Sequence, residues 1–415
     1  MSASEFFKKF DLTLVLATIS LITLGVFAIF SATSSSEFSE QFYERHMIFG
    51  IAGVVMMLVI SYLPPKHLEK VSSVLYVLSL LLLVSVLIFG KKISGQRSWF
   101  SFGGFGIQPA EFAKVATVMI VAFFLSKDSE GRNSKLGLKD TLVIAGLVLL
   151  PVALIALQPD TGTNLVFLSI LIPVFLWAGM PAFFIVALIA PVIVAISAFL
   201  SDIVGNYLLY VVLAITAIGI FLFKEKQYLK IGVIVLCLIA GFGSDYVYDH
   251  LETYQQKRIM SVFDPTSDPR GSGYNVIQSK VAIGSGGLFG KGYMQGTQTQ
   301  LNFIPAQWTD FIFCMVGEEF GFIGSVVLII LYLVIVIKLI NNGYNARSRF
   351  LSLACIGFAS VFLFHLFINI GMTVGILPVI GIPLPLLSYG VSSLLSFTIM
   401  LGIGMNAYRN RNIVF

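Results

Sequence analysis

Twelve apolar runs, most of them about 20 residues long, constrain the fold of this chain more than any other feature. They lie at residues 11–32, 46–63, 72–90, 108–126, 140–158, 162–179, 182–200, 206–223, 228–246, 310–337, 351–376 and 384–407. Hydrophobic residues make up 57% of the 415 residues and charged residues only 11%, so a soluble domain could not hide this much apolar surface. The first run is expected to span the membrane, because no small-residue cleavage site follows it. The pattern predicts an all-α polytopic integral membrane protein with about 12 transmembrane helices.

The positions of the basic residues predict the orientation of the chain in the membrane. The short loops on one side hold only Arg45, Lys91, Lys92 and Arg97, whereas the termini and the loops on the other side hold 16 Lys and Arg residues. Cytoplasmic loops carry the excess of Lys and Arg in membrane proteins. Both termini are therefore expected in the cytoplasm, and the long segment 247–309 is expected outside.

The cysteines and histidines predict neither a disulfide nor a metal centre. Each cysteine lies inside an apolar run at an unrelated spacing, and no histidine has a partner at metal-ligand spacing. Packing, or for histidine a place at the membrane interface, is the expected role of Cys237, Cys314, Cys355, His46, His67, His250 and His365.

A polar, glycine-rich segment interrupts the apolar pattern before residue 310. Glycines recur through 284–292, the string Gly-Thr-Gln-Thr-Gln follows at 296–300, and Thr309-Asp310 stands at the start of the next apolar run. Loops of this length are commonly functional. The glycines predict tight turns and close approach of backbones, and they also suit a pocket for an anionic head group. A short amphipathic helix on the membrane surface is expected at 274–283.

Polar residues cluster at the predicted outer ends of several spans. Glu111 and Lys114 share a helix face and can pair, either to serve a substrate or only to neutralise buried charge. Asp160 and Asp310 each precede a span, where a carboxylate can cap the helix or perform chemistry. The members of this group are Arg97, Trp99, Gln108, Glu111, Lys114, Asp160 and Asp310.

Two further features fall at membrane depth. Glu318 and Glu319 lie about two turns beyond Asp310 on the same predicted helix, a depth that favours a pairing or functional role. The sequence does not identify their partner, and Arg and Lys residues of neighbouring spans are candidates. The segment 381–390 is rich in Pro and Gly, which predicts non-helical backbone that lines a cavity.

Together these motifs resemble the SEDS family (shape, elongation, division and sporulation), and in particular its RodA branch. The matching segments lie at 108–114, 158–160, 273–274, 278–280, 282–292, 296–301, 309–313 and 369–389. The string Gly-Thr-Gln-Thr-Gln-Leu at 296–301 favours the RodA branch over the FtsW division branch. The similarity covers nearly the whole chain.

The resemblance implies a peptidoglycan glycosyltransferase that polymerises lipid II into glycan strands at the outer face of the bacterial cytoplasmic membrane during cell elongation. It implies a class B penicillin-binding protein, which cross-links the strands, as the partner within the elongation machinery, and no nucleic acid. Asp310 matches the essential acid of the family and is expected to be the general base. The residues expected to bind substrate are Glu111, Lys114, Asp160, Trp99, Arg97, Gln108 and Lys280.

The resemblance also bears on domain organisation, because family members have ten spans. The whole chain, 1–415, is expected to form one membrane domain in which 206–246 is an inserted transmembrane hairpin and 247–309 is the extracytoplasmic catalytic loop. The basic turn Lys224-Glu225-Lys226 predicts a cytoplasmic tip for the hairpin. Because two added spans leave the sidedness unchanged, the hairpin is expected to be dispensable for chemistry.

The chemistry agrees with these residue types. Extending a glycan on a lipid diphosphate needs a base for the acceptor hydroxyl and cationic help for the departing diphosphate. Asp310, with Lys114 and Arg97, would supply both. A divalent cation such as Mg²⁺ or Mn²⁺ stays open as a cofactor, since the sequence shows no cluster of metal ligands. Two other functions also stay open: a lipid II flippase, and a non-catalytic scaffold for a transpeptidase.

Overall fold

The structure, a computed structural model, describes residues 10–34, 39–93, 96–102, 105–127, 138–205, 207–268 and 271–411. The described chain is mostly helical and contains one small sheet. In chain order its elements are α1 (Leu12–Thr33), α2 (Ser39–Tyr62), α3 (Pro65–Phe89), β1 (Lys91–Ile93), β2 (Gln96–Phe102), β3 (Phe105–Ile107), α4 (Pro109–Lys127), α5 (Leu138–Ala156), α6 (Thr161–Trp177), α7 (Ala182–Val204), α8 (Tyr207–Phe221), α9 (Gln227–Phe242), α10 (Ser244–Asp249), α11 (Thr253–Phe263), a 3₁₀ turn (Pro265–Ser267), α12 (Ser272–Ser285), α13 (Thr297–Gln300), α14 (Ile312–Glu319), α15 (Gly321–Asn345), α16 (Arg349–Thr373) and α17 (Val391–Arg409).

The prediction of a polytopic helical membrane protein is confirmed. Among the described residues, 8 helices are long and apolar enough to cross a membrane, and they belong to α1, α2, α3, α4, α7, α15, α16 and α17. Four shorter apolar helices, which belong to α5, α6, α8 and α9, fall below that length. Membrane crossing by these four, and so the total of about twelve spans, stays a prediction.

The run predicted as one span at 310–337 is instead two helices. α14 ends at Glu319, and α15 begins at Gly321, whose φ of 66° an L side chain would resist. A Cβ at Gly321 would also overlap the backbone nitrogen of Gly290. The prediction that Asp310 lies on the same helix as Glu318 and Glu319 is therefore wrong, because Asp310 precedes the first helical residue of α14.

The glycine-rich segment packs against this break. The N–H groups of Lys291 and Gly292 donate to the carbonyls of Glu318 and Glu319 at 3.0 and 3.1 Å, and Phe322 N–H donates to the Gly287 carbonyl at 2.9 Å. A Cβ at Gly286 or Gly290 would overlap the backbone of α14. The close backbone approach predicted for 284–292 is thus confirmed.

The predicted short helix before this segment is present as α12, but one of its faces is packed inside the protein. Val276, Ser279 and Ala282 are buried, and Ser279 Oγ donates to the Thr373 carbonyl at 2.8 Å. A position on the membrane surface stays a prediction for its other face.

The small sheet between α3 and α4 was not predicted. Its strands are antiparallel in the order β1-β2-β3, with Lys91 opposite Trp99 and Phe100 opposite Ile107. It brings the chain from the end of α3 to Gln108, the residue before α4.

The chain divides into two compact units. The first holds the described residues up to 174 and from 258 onward, and its most deeply buried helices are α4, α16 and α17. The second holds residues 175–257, in which α7, α8 and α9 pack around Val194, Leu209 and Cys237. The predicted inserted hairpin corresponds to α8 and α9 of this second unit.

Removal of residues 206–246, with the cut ends joined by a short Gly/Ser linker, should leave a folded protein of lower stability. The deletion would expose the face of α7 around Val194 and Ala198 to lipid tails, which are as apolar as the helices removed. Circular dichroism of both proteins in one detergent measures this. We expect the helical content of the intact chain reduced by the two deleted helices, and a lower Tm. Aggregated or non-helical protein would contradict this expectation.

Candidate active site

Gln108 connects the starts of three helices in the first unit. Its backbone N–H donates to Ser392 Oγ, at the start of α17, at 3.0 Å. Its side-chain Nε2 donates to Asp160 Oδ2, just before α6, at 3.1 Å. The beginnings of α4, α6 and α17 therefore lie together, and we call this place the polar end.

Asp160 caps α6. Its Oδ1 accepts the Thr163 N–H at 3.0 Å and its Oδ2 accepts the Thr163 hydroxyl at 2.9 Å, so the capping alternative is confirmed. Burial raises the pKa of this carboxyl, the Thr163 hydrogen bonds lower it, and the charge of Glu111 raises it further. The net shift of the Asp160 pKa is upward. Asp160 is both a cap, through Thr163, and a member of the polar end, through Gln108.

Asp310 stands in the turn that leads into α14. Its carbonyl accepts Asn369 Nδ2 at 2.7 Å, and the carbonyl of the preceding Thr309 accepts Ser388 Oγ at 2.6 Å. The capping position of α14 belongs to Phe311, which makes no side-chain cap. Capping by Asp310 or Thr309 is therefore not what the structure shows.

The surroundings of Asp310 disfavour its charged form. Withdrawal from water raises the pKa of its carboxyl to about 6, while the positive charge of Arg258 lowers it and the negative charge of Asp160 raises it. Within the described part of the chain, the carboxylate accepts no hydrogen bond. Such a group is mostly ionised at neutral pH and remains basic enough to take a proton.

Glu111 and Lys114 form the predicted ion pair, in a network that the sequence did not predict. Lys114 is 1% exposed, and its Nζ donates to Glu111 Oε1 at 2.8 Å and contacts His365 Nε2 at 3.1 Å. His365 Nδ1 lies 2.9 Å from the Pro383 carbonyl, which can only accept. We assign the ring hydrogen to Nδ1 from this partner, which leaves Nε2 to accept from the ammonium. Ser396 Oγ donates to Glu111 Oε2 at 3.2 Å.

The remaining predicted residues lie away from these hydrogen bonds. Arg97 is exposed on β2, where it donates to the Leu87 carbonyl at 3.4 Å. The ring of Trp99 packs against Gly106 within the same sheet. Lys280 is exposed on α12, and its side chain crosses Gly375 at the end of α16. Hydrogen bonds and electrostatic interactions thus join five of the predicted residues: Gln108, Glu111, Lys114, Asp160 and Asp310. Among the described contacts, none joins Arg97, Trp99 or Lys280 to this group.

Glu318 and Glu319 have structural partners, and neither partner is one of the candidate Arg or Lys residues of a neighbouring span. The Glu318 carboxylate accepts Lys291 Nζ at 2.7 Å and the Thr299 N–H at 3.0 Å, both from the loop before α14. Glu319 accepts Ser31 Oγ of α1 at 2.6 Å. Because these bonds occupy Lys291 and the loop backbone, the described contacts do not support a head-group pocket there.

Sequence reasoning missed His365 and Asn369. Both are polar residues buried in the apolar helix α16, and they are four positions apart, which places them on one face. Such residues in a spanning helix are a recognised functional signal. That spacing was the signal that could have found them.

The described residues contain no group of three or more His, Cys, Asp or Glu side chains that could hold a metal ion. A divalent cation stays open as a cofactor, and the steps below use the side chains of this chain alone.

Comparison with known proteins adds to this geometry. The model of the FtsW/RodA/SpoVE family, described as cell cycle protein, matches residues 12–210 and 205–413. The peptidoglycan glycosyltransferase MrdB of Escherichia coli strain K12 is 33% identical over 404 residues, 97% of this chain and 95% of the relative. The peptidoglycan glycosyltransferase RodA of Treponema pallidum strain Nichols is 33% identical over 430 residues, 96% of this chain and 97% of the relative.

Solved structures share the fold. One chain of "Structural coordination of polymerization and crosslinking by a peptidoglycan synthase complex" matches with a TM-score of 0.71 and 28% identity, over 98% of this chain and 99% of that one. The rod shape determining protein RodA of Thermus thermophilus matches with a TM-score of 0.62 and 26% identity, over 98% of each chain.

The fold and the site define a polytopic helical membrane protein with an acid–base cluster at one end of its first unit. The family model and the full-length relatives all point to the same family. The chain belongs to the FtsW/RodA/SpoVE family, and the resemblance inferred from its motifs is confirmed.

Breaking the Glu111–Lys114 pair from one side should cost more than removing it whole. A single change, Glu111→Gln or Lys114→Met, leaves an uncompensated buried charge, which costs about 3–5 kcal/mol. The double variant removes both charges and should lose less stability than the two single losses added together. Thermal unfolding of the three variants in one detergent measures this, and strictly additive losses would show that the two charges are independent.

Proposed function

We propose that this chain is a peptidoglycan glycosyltransferase that polymerises lipid II at the outer face of the bacterial cytoplasmic membrane during cell elongation. The observation that carries the proposal is the Asp310 carboxylate, which has a raised pKa and no hydrogen-bond partner among the described residues. Relatives similar over their full length are named as peptidoglycan glycosyltransferases, which supports the reaction class.

Asp310 is the general base in this proposal. Its carboxylate takes the proton from the acceptor sugar hydroxyl as that oxygen attacks the anomeric carbon of the donor. The new glycosidic C–O bond forms while the bond from the anomeric carbon to the diphosphate oxygen breaks. The lipid diphosphate leaves with the electron pair, and the proton stays on Asp310 until solvent removes it.

The other residues of the polar end bind and orient the substrate. Lys114 supplies a positive charge for diphosphate oxygens, and Glu111 fixes the position of that charge. Asp160 and Gln108 hold the starts of α4 and α6 together, and the charge of Asp160 acts on Asp310. Arg97, Trp99 and Lys280 are assigned to the substrate as well, as contacts of its outer parts, because all three remain accessible.

The orientation and the partner follow from other observations. The excess of Lys and Arg supports cytoplasmic termini and an outer position for the polar end. A class B penicillin-binding protein is the proposed partner, since a structural neighbour comes from a complex of polymerisation and crosslinking. The 206–246 hairpin carries none of the polar-end residues, so its deletion variant should still polymerise lipid II.

Asp310→Asn should abolish most polymerisation. Asparagine keeps the size of the side chain but cannot take the hydroxyl proton, and a general base contributes roughly a hundred- to ten-thousandfold. The measurement is glycan polymer formed from lipid II by purified protein with its partner. Lipid II binding should be close to that of the unaltered chain.

Three outcomes separate the candidate functions. Polymer formed by the unaltered chain and lost in Asp310→Asn supports the proposal. Lipid II translocation without polymer would favour a flippase, and neither activity would favour a scaffold. Polymerisation by a folded Asp310→Asn protein at the unaltered rate would remove Asp310 from the base role.

The pH dependence offers a second test of the base. Asp310 must be ionised to accept a proton, so kcat/KM should rise with pH and level off above an acid limb near pH 6. The neighbouring charge of Asp160 raises the pKa of Asp310. Asp160→Asn removes that charge, keeps a capping oxygen, and should move the acid limb to lower pH. An unmoved limb, or a shift to higher pH, would contradict the assignment.

A further inference from the structure

One face of α16 holds the irregular segment that follows it. His365 and Asn369 are one helical turn apart, and both are buried, with exposed fractions of 1% and 0%. His365 Nδ1 donates to the Pro383 carbonyl at 2.9 Å, and Asn369 Nδ2 donates to the adjacent Ile382 carbonyl at 2.7 Å. Two neighbouring carbonyls are therefore bound by two residues of one helix face.

Each of these residues also contacts a different member of the polar end. His365 Nε2 accepts from Lys114 Nζ at 3.1 Å. Asn369 Nδ2 donates to the Asp310 carbonyl at 2.7 Å. The helix face thus reaches the cation on one side and the backbone of the base on the other.

We propose that His365 and Asn369 are a pair of positioning residues that set the distance between the Lys114 ammonium and the Asp310 carboxylate. The inference rests on the proposed function, which gives those two groups their roles. Because both contacts start from one rigid helical turn, α16 fixes the Asp310 backbone relative to the Lys114 ammonium.

The hydrogen bonds of Lys114 support this role. An ammonium has three N–H donors, and Glu111 and His365 accept two of them. For the third, the described residues offer only the face of the Phe397 ring, whose centroid is 5.3 Å from Nζ, and an anionic oxygen such as that of a diphosphate would be the stronger acceptor. His365 therefore determines the direction in which the remaining donor points.

The two contacts of His365 can be separated by substitution. His365→Asn keeps an amide N–H near the Nδ1 position for Pro383 but is too short to accept from Lys114. His365→Gln reaches toward Lys114 and gives up the Pro383 contact. We expect the Asn variant to raise KM for lipid II about tenfold or more, as loss of a charged hydrogen bond does, with kcat little changed. The Gln variant should restore most of that loss.

Asn369 should show the opposite kinetic pattern because it acts through the base. Asn369→Leu frees the turn of Asp310, so kcat should fall by up to about a hundredfold while KM stays near its original value. Asp310 would also regain water, and the acid limb should move below pH 6; Arg258 and Asp160 are the charged groups that act on it. Asn369→Gln, which keeps the donors but displaces them, should fold and give a smaller loss of kcat.

Phe367→Leu is the matched control, since Phe367 lies in the same turn of α16 and is 63% exposed. It should leave kcat, KM and the pH profile unchanged. All variants are purified with the partner and compared by melting temperature, which identifies any that fail to fold.

The split between KM and kcat decides the inference. If the unaltered chain polymerises lipid II but the His365 and Asn369 variants show the same kinetic pattern, or no effect, this inference is overturned. The proposed function would still stand. An unaltered chain that forms no polymer overturns both. A general loss of stability would lower apparent kcat at unchanged KM in both series, so kcat is calculated from the folded fraction of each variant, and a rise in KM confined to the His365 series remains the distinguishing result.

Discussion

The structure depends on satisfying an irregular stretch of backbone inside an apolar helical protein. Between α16 and α17 the chain is non-helical, and unpaired carbonyls there would cost several kcal/mol each away from water. Side chains supply the missing donors for four of them. Asn369 binds the Ile382 carbonyl at 2.7 Å, His365 binds Pro383 at 2.9 Å, Tyr332 binds Pro385 at 2.6 Å and His46 binds Leu386 at 3.2 Å.

This requirement explains why polar residues occur in otherwise apolar spans. The three prolines of the segment, Pro378, Pro383 and Pro385, lack an N–H, so they could not have donated to the backbone carbonyls before them as a helix requires. The donors come from α2, α15 and α16, which ties three helices to one short segment. Ser388, in the same segment, binds the Thr309 carbonyl, so the turn that carries Asp310 is held by the same arrangement. The scaffold and the site of the glycosyltransferase are therefore built from one set of hydrogen bonds.

Sequence alone predicted what local pattern controls. Long apolar runs predicted the helices, and a spacing of three predicted the Glu111–Lys114 pair, because both depend on helix periodicity. It did not predict the break at Gly321, since glycine alone does not show which backbone approaches it. Nor did it predict Lys291 as the partner of Glu318 or the contact of His365 with Lys114, which join residues 27 and 251 positions apart. Contacts of that kind depend on tertiary packing, which no local pattern records.

The two aspartates show how a difference of one residue separates a structural role from a chemical one. Asp160 directly precedes the first residue of α6, so its oxygens reach Thr163 and accept its N–H and hydroxyl. Asp310 stands one position farther from its helix, and Phe311 occupies the capping position of α14. Among the described residues its carboxylate accepts none of the free N–H groups of that helix. Asp160 uses carboxylate lone pairs in its cap, whereas among the described residues the carboxylate lone pairs of Asp310 accept no hydrogen bond. A base needs such a lone pair to accept a proton.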